Sequence, residues 1–400
     1  MLKTNPISFT ETDVGFPWLH ECRLAASCFL AETVDEIGIF RLTKASDPSD
    51  YARCFHIFLA HTLKQPHPLP NERLAVDIRE AVRKQRQQIG DGFRHKPFRQ
   101  LLTFSLSALK VLDKLREDPL EDLVEEQLPG SLNDELKQLG CLDGYAGSGN
   151  QAMFMAIFLI HARDYLGIDT QPLLDEWGEA HIKRMNRFGF WGADAGMTHL
   201  QFQNGYHQHE ILEYLDVKNP RLEQTLASVR GLADVEGHFA PYPGGGGCYD
   251  YDAVFMLTPE GRVSEDATRA LLLRTAATIA SEQRPDGGFA ESVRVRPRSI
   301  TNLYRFASHT LNAFGKGPLF TERLRYGLTL QRPKHDRIHT HWSRRSRRWD
   351  ESDLWDSWFR MLALARIEVA MHPERASQWG FIDYPGIGYH PSLRANSPAH

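Results

Sequence analysis

Two carboxylates stand two residues apart, Asp250 and Asp252, interleaved with Tyr249 and Tyr251 and preceded by the run Gly244–Gly247. Carboxyl groups held close together in an aromatic pocket raise one another's pKa, which leaves a proton to donate. The same acids in the first turn of a helix would also serve as dipole caps. A second group is Tyr206-His207-Gln208-His209-Glu210. His207 and His209 do not share a helix face, whereas His207 with Glu210, or Tyr206 with Glu210, does. A Tyr/His/acid set supplies a base with a charge partner. Further polar residues among aromatics are Asn150 and Gln151, then Asn302, Tyr304, Arg305 and His309, then Asp353 and Asp356 beside Trp355 and Trp358. The rings of Tyr206, Tyr249, Tyr251, Phe306, Trp355 and Trp358 would face a cation, at roughly 0.5–2 kcal/mol each, or stack on sugars. Basic clusters at Arg294, Arg296 and Arg298 and at Ser343–Arg348 would attract a diphosphate or an acidic sugar.

A repeat predicts how these residues are positioned. A short turn carrying an aromatic recurs at Gly38-Ile39-Phe40, Asp91-Gly92-Phe93, Asp143-Gly144-Tyr145, Gly189-Phe190, Gly237-His238-Phe239, Gly287-Gly288-Phe289 and, without its glycine, Thr340-His341-Trp342. The aromatics are spaced by 53, 52, 45, 49, 50 and 53 residues. Apolar stretches follow the turns, among them Tyr51–Leu63, Phe98–Leu112, Asn150–Leu166, Tyr206–Leu215, Tyr249–Leu257, Leu303–Phe314 and Leu354–Val369. Amphipathic, charge-rich segments alternate with them, as at Arg221–Leu232, where Leu222, Leu226 and Val229 form one stripe. A unit of about fifty residues with two helices cannot bury its apolar face alone and must stack on neighbours. The expected fold is all-α: six to seven helical hairpins closed into an α/α toroid, with few and short strands. An open solenoid is the alternative, and the apolar Leu354–Val369 is a poor end cap for one. The expected boundaries are a single toroid over 1–390 and a polar tail over 391–400.

Composition narrows the function. The 400 residues carry 47 Lys and Arg against 51 Asp and Glu, so bulk charge does not favour a nucleic-acid partner. No apolar run is long enough to span a bilayer, and the N-terminus has no secretory apolar core. Five scattered cysteines without a C-x-x-C fit a reducing cytoplasm and argue against a disulfide framework. The P-loop, the G-x-S-x-G turn and a DDxxD motif are absent.

The turn takes a fuller form at Gln283-Arg-Pro-Asp286-Gly-Gly-Phe289 and Gln87-Gln-Ile-Gly-Asp91-Gly-Phe93. It resembles the Q-x-x-D-G-G-F/W turn of the terpenoid cyclase and protein prenyltransferase superfamily. Cys248-Tyr-Asp250-Tyr-Asp252-Ala-Val and Leu354-Trp355-Asp356-Ser357-Trp358-Phe359 look like that superfamily's inner-helix starts. The resemblance implies a toroid with a central cavity for a largely apolar, isoprenoid-like small molecule. It implies cyclase or isomerase chemistry with Asp250, Asp252, His207 and Asp356 as catalytic residues. Tyr206, Glu210, Tyr249, Tyr251, Tyr304, Arg305, Trp355 and Trp358 would then bind substrate. Where class II cyclases have D-x-D-D, this chain reads Asp250-Tyr251-Asp252-Ala253. Acid–base chemistry of this kind requires no cofactor. By analogy with the prenyltransferases, Asp250, Asp252 and His309 would hold a divalent metal, zinc or magnesium. A carbohydrate-active lyase or glycosidase centred on Tyr206, His207 and Glu210, and a non-catalytic binding toroid, remain open, because fold does not fix function.

Overall fold

The computed structural model describes residues 16–259, 261–295, 300–330, 337–338 and 347–391. These residues form fifteen α-helices. The hairpins, outer helix first, are α1 (Pro17–Ala31) with α2 (Asp50–Leu63) and α3 (Asn71–Ile89) with α4 (Lys96–Val111). The short α5 (Glu121–Glu125) and α6 (Leu132–Leu139) precede α7 (Ser148–Tyr165), and α8 (Gln171–Arg184) precedes α9 (His199–Tyr214). Then follow α10 (Leu222–Leu232) with α11 (Gly247–Leu257), and α12 (Asp266–Ser281). Between α12 and its inner partner α15 (Leu354–Met371), the chain makes an extra hairpin, α13 (Ile300–Leu311) and α14 (Pro318–Leu330).

The inner helices pack in one circuit: α2 on α4, α4 on α7, α7 on α9, α9 on α11, α11 on α15, and α15 back on α2. The fold is therefore a closed all-α toroid. Its ring has six inner helices, and α4 lies opposite α11. Sequence pattern sorts inner from outer. In α7, every residue from Ala152 to Ala162 is apolar except His161, and all are buried. A helix apolar on every side must be surrounded. In α3, only Leu74, Ala75, Ile78 and Val82 are buried, and the remaining face carries its charges. Regular strands are limited, among the described residues, to two-residue pairs such as Phe289–Ala290 against Ser352–Asp353.

The repeated turns have a common hydrogen-bond pattern. In four of them the glycine N–H donates to the carbonyl three residues earlier: Gly38 to Asp35, Gly189 to Asn186, Gly237 to Asp234 and Gly287 to Arg284. All four glycines have φ between +79° and +91°. In the first three, the side-chain oxygen of Asp35, Asn186 or Asp234 accepts two further backbone N–H bonds. These are Asx turns, a local reason for Asp and Asn at the first position. The aromatics they deliver, Phe40, Phe190, Phe239 and Phe289, are buried. The turns at Asp91 and Asp143 instead wind into short 3₁₀ segments, and Thr340-His341-Trp342 lies outside the described residues.

The inner helices run parallel, with their N-termini at one end. Contacts between their starts show this: Tyr51 to Pro97, Lys96 to Asn150, and Gly247 to Asp356. The other end is stoppered by the segment 379–389. Its Gly380 N–H donates to Thr62 O, and its Phe381 carbonyl meets His61. Tyr384 meets His161, Gly388 N–H donates to Tyr251, and Arg366 donates to Tyr389 O at 2.6 Å.

The stretch Leu303–Phe314 was expected to be an inner helix and is not part of the circuit. It falls on α13, which pairs with α14 outside the ring. This extra hairpin leans on the mouth. Glu322 of α14 accepts from the N–H groups of His199 and Leu200 at the start of α9, and buried Arg323 donates to Leu232 O and His309 O. Among the described residues nothing covers the outward side of α13, and Tyr304 is 75% exposed.

The turn geometry makes a testable claim. A Cβ on Gly287 would sit 2.0 Å from the carbonyl oxygen of Ala25 at a φ of +85°, whereas one on Gly261, at +82°, would meet open space. Gly261→Ala should cost about 1–2 kcal/mol from backbone strain alone, and Gly287→Ala at least about 2 kcal/mol more by urea denaturation. Equal losses would mean that the turn does not dock on α1 as described.

Candidate active site

The mouth of the ring is where side chains on the inner wall stay accessible. Lys96 on α4, Asn150 and Gln151 on α7, Gln203 on α9, Cys248 on α11 and Trp355 on α15 are all partly exposed. Deeper in, the same helices are buried throughout. Phe55, Phe58, Phe104, Trp358 and Phe359 interlock there, with ring centroids 4.7–6.1 Å apart in pairs such as Phe58–Trp358 and Phe58–Phe104. Trp355 packs edge-on to Phe55 at 5.0 Å and to Phe359 at 4.6 Å. The site is thus a bowl with an aromatic floor.

The two acids of α11 have different fates. Asp250 is fully buried and accepts three hydrogen bonds: from Phe239 N–H at 2.9 Å, from His238 Nδ1 at 2.8 Å and from Arg360 at 2.9 Å. His238 reaches Glu282 through Nε2 at 3.3 Å, and Glu282 accepts from Arg294 at 2.8 Å. Arg294 also pairs with Glu236 at 2.9 Å. Burial works against charge on His238, but the flanking Asp250 and Glu282 outweigh it and hold the imidazole protonated well above its usual range. Burial would raise Glu282, yet His238 and Arg360 bring it down to about 2. Three acids thus balance three cations.

Asp252 has no hydrogen-bond or ion-pair partner among the described residues and is only 2% exposed. Desolvation, then the nearby Glu210 and Asp250, push its carboxyl well above the usual range, which favours the protonated form. Glu210 on α9 accepts from Tyr206 Oη at 3.0 Å, and its second oxygen is buried without a partner among the described residues. Burial raises Glu210 to about 8. Tyr206 lies edge-on to Phe255 at 5.6 Å and to Tyr251 at 6.2 Å.

The other expected site residues are placed as follows. Asp356 accepts from Gly247 N–H at 3.2 Å and from Arg347 at 3.1 Å; Arg347 also binds Asp353 at 2.6 Å and Glu291 at 3.2 Å. That cluster ties α15 to α11 and lies beside Tyr242, which contacts Glu291. Burial, with Asp356 nearby, raises Glu291 to about 7. Tyr249 packs on Tyr242 at 6.3 Å. Trp358 is buried in the floor, and Tyr251 bonds the stopper. Arg305 donates to Arg294 O, and Tyr304 points to solvent. His309 faces Asp234 at 3.4 Å, not the α11 acids. Among the described residues, no three His, Cys, Asp or Glu side chains are grouped to hold a metal ion, so Asp250, Asp252 and His309 do not meet as a ligand set. His207 and His209 diverge as their spacing requires: His207 Nε2 meets Asn150 at 2.7 Å, and His209 Nε2 donates to Gly189 O at 2.8 Å. Arg296, Arg298 and residues 343–346 lie outside the described residues.

Sequence reasoning missed His238, Glu282, Arg360 and Lys96. Arg360 left a signal: an arginine inside the apolar run of α15 must find buried carboxylates.

No family model matches this chain, and no curated protein matches it. Solved structures with a similar course include the type II terpene cyclase MstE from Scytonema in its apo form, 13% identical, covering 90% of this chain and 98% of that chain, TM-score 0.48. A variant of that cyclase in complex with geranylgeranyl dihydroxybenzoate is 12% identical, covering 89% and 97%, TM-score 0.46. A glycosidase in complex with glucose is 11% identical, covering 88% and 97%, TM-score 0.47. Likeness at this level concerns the course of the chain; the chemistry rests on the side chains above.

The buried Glu210 gives a pH signature. Its folded pKa of about 8 lies above the unfolded value of 4.5. Its contribution to stability is therefore fully present below pH 4.5 and is lost as pH rises toward 8. Relative to Glu210→Gln, the wild type should lose about 1.4 kcal/mol per pH unit across that window. Denaturation at pH 5, 6, 7 and 8 measures the slope; parallel curves would mean that Glu210 is ionised in the fold.

Proposed function

We propose that this protein is an acid catalyst of the cyclase or isomerase type, acting on a largely apolar, alkene-bearing substrate held in the bowl, with Asp252 as the proton donor. The observation that carries the reading is the division of labour on α11: Asp250 is saturated with hydrogen bonds, while Asp252 is buried and, among the described residues, without a partner. A carboxylic acid kept protonated by desolvation donates to a weak base more readily than a solvated one. In the step, the Asp252 O–H bond breaks and the alkene π pair takes the proton as a new C–H bond. The neighbouring carbon becomes cationic. A second π bond within the substrate attacks it and closes a ring. Loss of a proton from an adjacent carbon returns a neutral isomer, so atoms balance without a cofactor.

The bowl suits the intermediate. Trp355, Phe104, Phe359 and Tyr206 present rings to a cation, each worth roughly 0.5–2 kcal/mol when desolvated. Asp250 acts as a positioning residue: through His238 and Arg360 it fixes the first turn of α11, and so the turn after it that carries Asp252.

The glycosidase reading draws on the proximity of Asp252 and Glu210. That chemistry needs one acid protonated and its partner ionised. Here desolvation pushes both carboxyls upward, Glu210 to about 8, and the wall is aromatic, which favours the first reading.

Two variants test it. In D₂O, a panel of linear isoprenoid alcohols and hydrocarbons should yield isomers of unchanged formula carrying one deuterium, read by mass spectrometry. Asp252→Asn should abolish that product with little loss of stability, because the amide mimics a neutral acid. Retained turnover would remove Asp252 from the mechanism. Asp250→Asn should instead destabilise the fold by about 3–5 kcal/mol, because His238 and Arg360 lose their shared partner; a calorimetric shift confined to Asp252→Asn would reverse these roles.

A further inference from the structure

We infer that the wall of the bowl facing α11 holds a head-group site for an anionic oxygen group, a carboxylate or a phosphate monoester, centred on Lys96, Asn150 and His207. The inference rests on the proposed reading of the bowl as a substrate site.

Lys96 opens α4, which stands opposite α11 in the ring. Its ammonium donates to Asn150 Oδ1 at 2.8 Å, and no carboxylate pairs with it among the described residues. Elsewhere in this molecule the buried cations Arg99, Arg347 and Arg360 have carboxylates, and Arg323 and Arg366 each donate to two or more neutral oxygens. A largely buried ammonium with one neutral amide oxygen as its single partner among the described residues stands apart from these. An ammonium has three N–H donors, and this one uses a single donor on the protein.

The bond from Lys96 also fixes what lies behind it. Lysine only donates, so the Asn150 atom it meets is the oxygen, and the Asn150 atom 2.7 Å from His207 Nε2 is the NH₂. His207 Nε2 therefore accepts, and the ring's proton sits on Nδ1. Burial and the charge of Lys96 lower the His207 pKa to about 3, so the ring is neutral. Its Nδ1 is buried with no acceptor among the described residues. The chain of donors thus ends in one unused N–H and begins with an ammonium that has two unused donors. Both lack what an anionic oxygen would bring. The acid that starts the chemistry, Asp252, lies on the opposite wall. A substrate anchored by a charged end at Lys96 would present its apolar body to Asp252 and its neighbouring rings.

Binding tests this in the Asp252→Asn background, where no turnover intervenes. The probes are dodecanoate, dodecyl phosphate and dodecanol, titrated calorimetrically. At least one anion should bind about tenfold or more tighter than the alcohol. The better of the two identifies the head group as carboxylate or phosphate. Lys96→Met should erase the preference for the anion and leave dodecanol unchanged. Circular dichroism checks folding, and Lys96→Gln, which keeps a donor to Asn150, replaces Lys96→Met if that variant unfolds. The inference is overturned if no probe binds, if alcohol and anion bind alike with Lys96 present, or if the preference survives its removal. Loss of turnover in Asp252→Asn is a separate measurement, so this site and the acid stand or fall independently.

Discussion

Arg360 is the constraint on which the ring depends. A guanidinium in the apolar middle of the last inner helix cannot be left unpaired, because an uncompensated buried charge costs several kcal/mol. Its partners come from four places: Asp250 on α11, Glu282 at the end of α12 and the carbonyls of Gly244 and Glu291. Satisfying it pulls α15 onto α11, and that contact closes the circuit. His238 sits between the two acids and makes the network electrically neutral. The network also explains why two acids two residues apart behave differently. Asp250 is consumed by closure, and Asp252, turned to another face of α11, is left to the bowl.

Much of the architecture was legible in the sequence because it repeats. The Gly-aromatic turns mark the places where an outer helix hands over to an inner one, and the all-round apolar character of stretches such as Ala152–Ala162 marks an enclosed helix. The regularity misled at one point. Leu303–Phe314 falls at the right interval and is apolar at helical spacing, yet it forms part of an inserted hairpin. Spacing reports a helix; it does not report whether a place in the ring is vacant, and α15 takes that place.

The site was legible in kind but not in assignment. Asp250 and Asp252 are marked by their types and neighbours. Which of them keeps a proton depends on His238, Glu282 and Arg360, residues 12 to 110 positions away along the chain. No local pattern encodes such pairing. The same holds for His207, whose histidine-rich segment suggested a base or a metal ligand. Its tautomer is dictated by Lys96 through Asn150, a link between three hairpins that only the folded ring creates.

The stopper formed by residues 379–389 is threaded after all six wall helices. A chain can stack its hairpins in order, but the barrel stays open-ended until this segment, which follows them in sequence, wedges against Thr62, His161, Tyr251 and Arg366. Until then its aromatic lining faces water from below. Docking of this segment, rather than ring closure, therefore marks the moment when the interior is sealed from below.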